Sequence, residues 1–228
     1  LLGSVSIAWA FMLDVVTAIL AIVVMLFIKV DKVKRTDKKA SVFAELRDGL
    51  VYAFNNPLLK RLLICYAFSF FLFTPAAVLT PLMVERSFGN DVWLLTANEI
   101  VWSAGSIVGG IFVSLYGDFK NKVRAIAISL AAFGITFALL GMAKNFTIYL
   151  IIMGVAGLFM PVITTSETVL IQKNTDPSKM GRVFSMIQII AASSMPLGIL
   201  LFGPLADVIS VELILVFTGV LLLLTGII

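Results

Sequence analysis

Seven apolar runs, each close to the length of a membrane crossing, dominate this chain: residues 5–28, 62–84, 92–116, 125–143, 147–171, 183–206 and 211–228. About 20 consecutive apolar residues carry a helix across a hydrocarbon core roughly 30 Å thick, where each backbone polar group must be satisfied inside the segment. Membrane β-strands would instead alternate apolar and polar over about 10 residues, and no such alternation occurs. The expected fold class is all-α and membrane-embedded. Composition agrees: 61% of residues are hydrophobic, 13% are charged, and the mean hydropathy is +1.10. Soluble domains are roughly half apolar and a quarter charged.

The 17 lysines and arginines sort by loop. Segment 29–61 holds nine of them, loop 117–124 adds Lys120, Lys122 and Arg124, and loop 172–182 adds Lys173, Lys179 and Arg182. The alternate loops hold only Arg86 and Lys144. The positive-inside bias assigns the crowded side to the cytoplasm. The pI of 9.3 therefore reflects membrane topology, and no nucleic-acid partner is expected. The single cysteine, Cys65, reads as a small buried hydrophobe. Without histidine no Cys/His metal spacing exists, so neither metal nor cofactor is expected.

The chain divides into a transmembrane helix (1–28), a basic cytoplasmic linker (29–61) and a six-helix bundle (62–228). Within the linker, "SVFAELRDGLVYAFNNP" repeats Phe43, Leu46, Leu50 and Phe54 at helical spacing. Ser41 can cap its start, and Pro57 ends it by barring Asn56 from helix. A short amphipathic helix on the inner leaflet is expected, with a partner-binding helix as the alternative. The chain opens on "LLGSVSIAWAF" and closes on "FTGVLLLLTGII", which reads as a piece of a longer protein. One helix, a linker and six helices suggest the second half of a 6 + 6 transporter, the lipid bilayer and a missing N-terminal six-helix half being its partners.

Four stretches carry a family resemblance: "TPAAVLTPLMVERSFGNDVWLLTANEI", "GGIFVSLYGDFKNKVR", "LIQKNTDPSKMGRVFSMIQ" and "MPLGILLFGPLAD". Together they resemble the major facilitator superfamily, in particular the drug–proton antiporter branch that includes bacterial macrolide efflux proteins. The resemblance implies the C-terminal half of a 12-helix fold in a bacterial cytoplasmic membrane. It also implies alternating access, with protons and a small amphiphilic drug moving in opposite directions. In "YGDFKNKVR", which is similar to the superfamily's cytoplasmic loop motif, Gly117 would permit the turn. Asp118, Lys120, Lys122 and Arg124 would hold one gate state by charge contacts. A solvated basic loop is the alternative. Arg182 in "MGRVFS" would belong to the same gate or anchor its helix at the interface.

Three carboxylates lie within apolar runs: Asp14, Glu99 and Glu167. Ionisable groups inside a bilayer cost about 2.5–3.5 kcal/mol on insertion scales and usually face a bundle interior or a wet cavity. Burial disfavours the charged form of a carboxylate, which suits such a group to binding and releasing protons. With no histidine available, these three are the candidate proton- and substrate-coupling residues.

Glu99 follows Trp93, a candidate outer-interface anchor, by six residues, or roughly 9 Å of helix. Ser103, Ser106 and Gly110 share its face, while Gly105 and Gly109 form a GxxxG on another face suited to close helix packing. The alternatives for Glu99 are snorkelling to the interface or a structural pairing. Glu167 lies six residues before Lys173, near the inner mouth, in a hydroxyl-rich turn with Thr164, Thr165, Ser166 and Thr168. Asp14 lies 15 residues before Lys29, roughly 22 Å from the cytoplasmic end, with Thr17 at i+3.

Phe68, Phe71, Phe73 and Trp102 are candidates to line a drug cavity or to pack. Pro75, Pro161, Pro196, Gly198, Gly203 and Pro204 are candidate bending points for a rocking motion. Other functions fit the same pattern: a siderophore or lysophospholipid carrier, or a non-transporting scaffold or sensor. No nucleophile–base pair or nucleotide-binding loop suggests an enzyme.

Overall fold

The computed structural model describes residues 7–27, 42–116, 119 and 121–227. Eight helices run through these residues: α1 (Ile7–Phe27), α2 (Val42–Asn55), α3 (Pro57–Phe88), α4 (Val92–Tyr116), α5 (Lys122–Met142), α6 (Phe146–Asn174), α7 (Met180–Val208) and α8 (Val211–Ile227). Among the described residues there is no strand. Helices α3 to α7 are each long and apolar enough to cross a membrane, and the apolar stretches Phe11–Phe27 and Val211–Ile227 are shorter. The chain is a multi-pass, all-α membrane protein. Helix α1 belongs to one compact unit and α2 to α8 form another.

Short polar side chains set the helix starts. Asn56 Oδ1 accepts from Leu58 N at 3.0 Å and Leu59 N at 3.3 Å, and Pro57 occupies the first helical position, where a missing N–H costs nothing. This cap starts α3 five residues ahead of the apolar run that begins at 62. Lys60 and Arg61 interrupt the hydropathy signal but not the helix. Asp91, Asn121 and Asn145 accept backbone N–H groups in the same way at the starts of α4, α5 and α6. At its far end α3 stops on Gly89, whose φ of 121° no side-chain-bearing residue readily adopts.

Close-packed helix pairs build the second unit: α5 with α8, α4 with α6, α5 with α6 and α3 with α7. Missing side chains permit two of these contacts. A Cβ at Gly105 would overlap the Gly154 carbonyl, and one at Gly109 the Leu158 carbonyl, so the GxxxG of α4 lies directly on the α6 backbone. Gly134 and Gly219 bring α5 and α8 equally close. In α6, Pro161 has no N–H for the carbonyl of Gly157, its i−4 neighbour. That carbonyl instead accepts from the Ser106 hydroxyl of α4 at 3.3 Å.

Two apolar clusters result. The larger runs through α3, α5, α6, α7 and α8 and includes Leu72, Met83, Phe133, Phe137, Leu140, Tyr149, Phe202 and Leu215. The smaller joins α2, α3, α6 and α7 at the bundle end that carries α2, through Ala53, Leu59, Leu63, Ile171, Val183, Met186 and Ile187. At the opposite end Arg86 donates to the Ala206 carbonyl of α7 at 3.1 Å, a cation at a helix C-terminus, and Ser87 donates to Glu212 at 2.7 Å.

The amphipathic helix is present as α2, but its packing face differs from the expected stripe. Gly49, Tyr52 and Ala53 face inward: a Cβ at Gly49 would lie 3.1 Å from Arg182 Cβ, and Ala53 is fully buried. Leu50 and Phe54 remain exposed and line an apolar groove with Leu63, Met186 and Ile190. The linker's Ser41, Lys29, Lys32, Lys34, Arg35, Lys38 and Lys39, and the side chains of Phe43 and Leu46, lie outside the described residues.

Candidate functional site

Glu99 borders a cavity of about 150 Å³ between α3, α4, α5 and α6, lined also by Phe73, Ala76, Ala77, Thr80, Trp102, Phe137 and Met153. Phe73 is the hub of its aromatic wall. Its ring centroid lies 6.2 Å from Trp102, 5.6 Å from Phe133 and 5.8 Å from Phe137. The wall is flat, apolar and polarisable, with a single carboxylate at its edge. That combination suits an amphiphile with a bulky body and a cationic group.

A buried hydrogen-bond chain orients the carboxylate. Tyr149 OH of α6 donates to Asn98 Oδ1 at 3.0 Å, and Asn98 Nδ2 donates to Glu99 Oε1 at 3.1 Å. Asn98 is 1% exposed and Tyr149 fully buried, whereas Glu99 is exposed on the surface of this unit. The carboxylate can thus meet water, a cation or a second protein surface while its back is held from inside. Spacing along α4 does not reveal this chain, because Tyr149 stands 51 residues away. The asparagine itself is the available signal, since a buried amide needs partners.

The small-residue face splits. Ser106 belongs to the α4–α6 contact through its bond to Gly157, not to the Glu99 surface, and Gly110 has nothing within 4 Å of where a Cβ would lie. Of the aromatic candidates, Phe73 and Trp102 line the cavity; Phe71 packs on Phe202 at 5.4 Å and Phe68 faces outward.

Glu167 lies apart from this cavity. It is 4% exposed on α6, and neither its Oε2 nor Ser166 Oγ has a hydrogen-bond partner among the described residues. Asp14 is exposed on α1, where Thr17 donates to the backbone carbonyls of Leu13 at 3.0 Å and Asp14 at 2.9 Å rather than to the Asp14 carboxylate.

The gate candidates have unlike surroundings. Gly117, Asp118 and Lys120 lie outside the described residues. Lys122 Nζ donates to the Phe119 carbonyl at 3.3 Å, and Arg124 N to Asn121 Oδ1 at 3.0 Å. Arg182 pairs with Asp48 of α2 at 3.3 Å. Beside it, the Asp176 backbone N–H donates to Tyr52 OH at 3.0 Å, a second tie between α2 and the approach to α7. Asp176 Oδ1 accepts from Ser178 N at 2.8 Å and Ser178 Oγ at 2.7 Å, and these bonds hold its carboxyl below the usual aspartate range.

The bending candidates Pro75, Pro161, Pro196 and Pro204 all lie inside continuous helices, and Pro81 joins Pro75 within α3. Gly198 has a packing reason, since a Cβ there would overlap Thr74 of α3, whereas Gly203 faces open space.

The family model of the Major Facilitator Superfamily matches residues 1–198. The chain belongs to the major facilitator superfamily. It is 26% identical over 217 residues to macrolide efflux protein A of Streptococcus pyogenes, covering 92% of this chain and 53% of that protein. Macrolide efflux protein A of Enterococcus faecalis is 26% identical over 193 residues, covering 82% and 59%. Multidrug efflux pump Tap of Mycolicibacterium fortuitum is 22% identical over 209 residues, covering 90% and 50%. The chain therefore spans about half the length of the curated relatives it matches. In this major facilitator chain the Glu99 cavity, open on the surface of the unit, is the candidate functional site.

Proposed function

We propose that this chain is part of a secondary active transporter that exports lipophilic amphiphiles of the macrolide kind by proton antiport. Its helices rock with a second six-helix half in alternating access, in a bacterial cytoplasmic membrane, with 29–61 on the cytoplasmic side. The observation that carries this reading is Glu99 at the edge of an aromatic cavity, exposed at its carboxylate and held behind by Asn98 and Tyr149. A proton and a cationic amphiphile would compete for that one charge: proton binding discharges the drug, and drug binding expels the proton. Relatives named for macrolide and multidrug efflux support the substrate class. Asp14 and Glu167 are the further candidate proton carriers, and Lys122, Arg124 and Arg182 the candidate gate residues.

The test is drug-dependent proton movement by the full-length protein in vesicles under an imposed pH gradient. Wild type should couple the two fluxes, and Glu99→Gln should lose coupling while remaining folded. Equal coupling in both would remove Glu99 from the mechanism. No flux in either, across a broad panel of cationic amphiphiles, would overturn the exporter reading.

A further inference from the structure

Glu167 differs from Glu99 in the respect that matters most for a charge, which is what can reach it. At 4% exposure it is buried within α2 to α8 alone, so a partner docking from outside cannot touch it. Any compensation has to come from within. Among the described residues, Cys65 and Tyr66 of α3 are within electrostatic reach of it, and neither carries positive charge. Arg47, Lys60, Arg61, Arg124, Lys173, Lys179 and Arg182, the other described cations near this end, form no ion pair with its carboxyl, and the chain has no histidine. Lys173 stands six residues further along α6, roughly 9 Å up the axis. A carboxylate removed from water without hydrogen bond or cation is among the costliest groups a protein can hold, whereas the neutral acid leaves only a polar group underserved.

The position is also distinctive. Four residues before Glu167, Ile163 belongs to the larger apolar cluster, and four residues after it Ile171 belongs to the smaller one. Across from it, Cys65 lies eight residues into α3, and Glu167 lies seven residues before the end of α6. Both are roughly 10–12 Å from the same end of the bundle. The carboxyl therefore sits in the seam between two apolar blocks, beneath the plug formed by Ala53, Leu59, Leu63, Val183 and Met186.

We propose that Glu167 is a second proton-binding site, distinct from the Glu99 cavity, that is occupied while α6 lies against α3 and emptied as that seam opens. Loss of the proton leaves an unpaired charge between two apolar blocks, and parting of the seam to admit water is the available relief. Proton occupancy is thereby tied to the position of α6 relative to α3. The inference rests on the transporter reading for its purpose, but neither of its tests involves a drug or an ion gradient, so a failure of one is distinct from a failure of the other.

The first test is infrared spectroscopy of the full-length protein in lipid, wild type minus Glu167→Gln, near neutral pH. A carbonyl band of a neutral carboxylic acid, shifting in heavy water, is expected. Carboxylate bands in its place would overturn the proposal, as would carboxylate bands that appear only with sodium or only with potassium, which would make this a metal-cation site. The second test is the labelling rate of Cys65 by a neutral maleimide between about pH 6 and about pH 9. An ionised Glu167 disfavours the Cys65 thiolate and so slows labelling in wild type relative to Glu167→Gln, opposite in sign to seam opening. Seam opening should add up to about tenfold per pH unit in wild type alone. Glu167→Met, which fills similar space without a polar atom, should behave as Glu167→Gln does. Identical pH profiles in all three would overturn the link to the seam.

Discussion

Arg182 and Asp48, 134 residues apart in the chain, meet at 3.3 Å where α2 crosses the start of α7. Their side chains are 31% and 64% exposed, so the pair contributes no more than about 1 kcal/mol. The docking of α2 rests on contact instead. Asp48→Asn should leave the α2 amides protected from hydrogen exchange. Gly49→Leu should expose them, because the space beyond Gly49 is already filled by Arg182 and by the Met186 sulfur, 3.2 Å from where a Cβ would lie.

The α4–α6 contact predicts a steep contrast between neighbouring glycines. Gly105→Val and Gly109→Val place atoms into the α6 backbone and should destabilise by about 1–3 kcal/mol or more. Gly110→Ala meets nothing and should be neutral or stabilising by up to about 1 kcal/mol through helix propensity. Thermal unfolding in detergent measures both.

Tyr149→Phe removes the donor to Asn98 Oδ1 in a fully buried setting and should cost about 1–3 kcal/mol. Asn98→Leu should cost a similar amount, and the double variant less than the sum, because each single change strands the other's polar atom. A double-mutant cycle in chemical unfolding gives the coupling.

Asp176 predicts a pH dependence of opposite direction to that of a buried acid. Its carboxyl is held below the ordinary value of 3.8 by the Ser178 hydroxyl and N–H. A lowered folded value means the stabilisation is fully present above the ordinary value and is lost as pH falls through the lowered one. Protection of the Ser178 amide should therefore persist at neutral pH and fade only under acid. Asp176→Asn should keep it at all pH values, and Asp176→Ala should lose it at all of them.

Much of the fold was legible because membrane helices announce themselves by unbroken apolarity. The run 92–116 coincides with α4, and the GxxxG at Gly105 and Gly109 marked a contact that the structure places on α6. The start of α3 was misplaced because hydropathy registers Lys60 and Arg61 while the helix answers to Asn56 and Pro57. At the site, spacing put Glu99 and Ser106 on one face but not what stands opposite each of them. The Ser106 bond was in principle readable from Pro161, which strands the carbonyl four residues before it. Tyr149 was not readable, since nothing local to it names Asn98 as its partner.

The backbone contact between α4 and α6 has one more consequence. Helices separated by side chains can slide as those side chains change rotamer, but two backbones in touch have no such play. Like the rails of a ladder, α4 and α6 travel together or not at all. Glu99 and the tyrosine that steadies it through Asn98 are mounted one on each rail. Any displacement of α4 therefore carries the carboxylate and its support as one piece, with the grip between them unchanged.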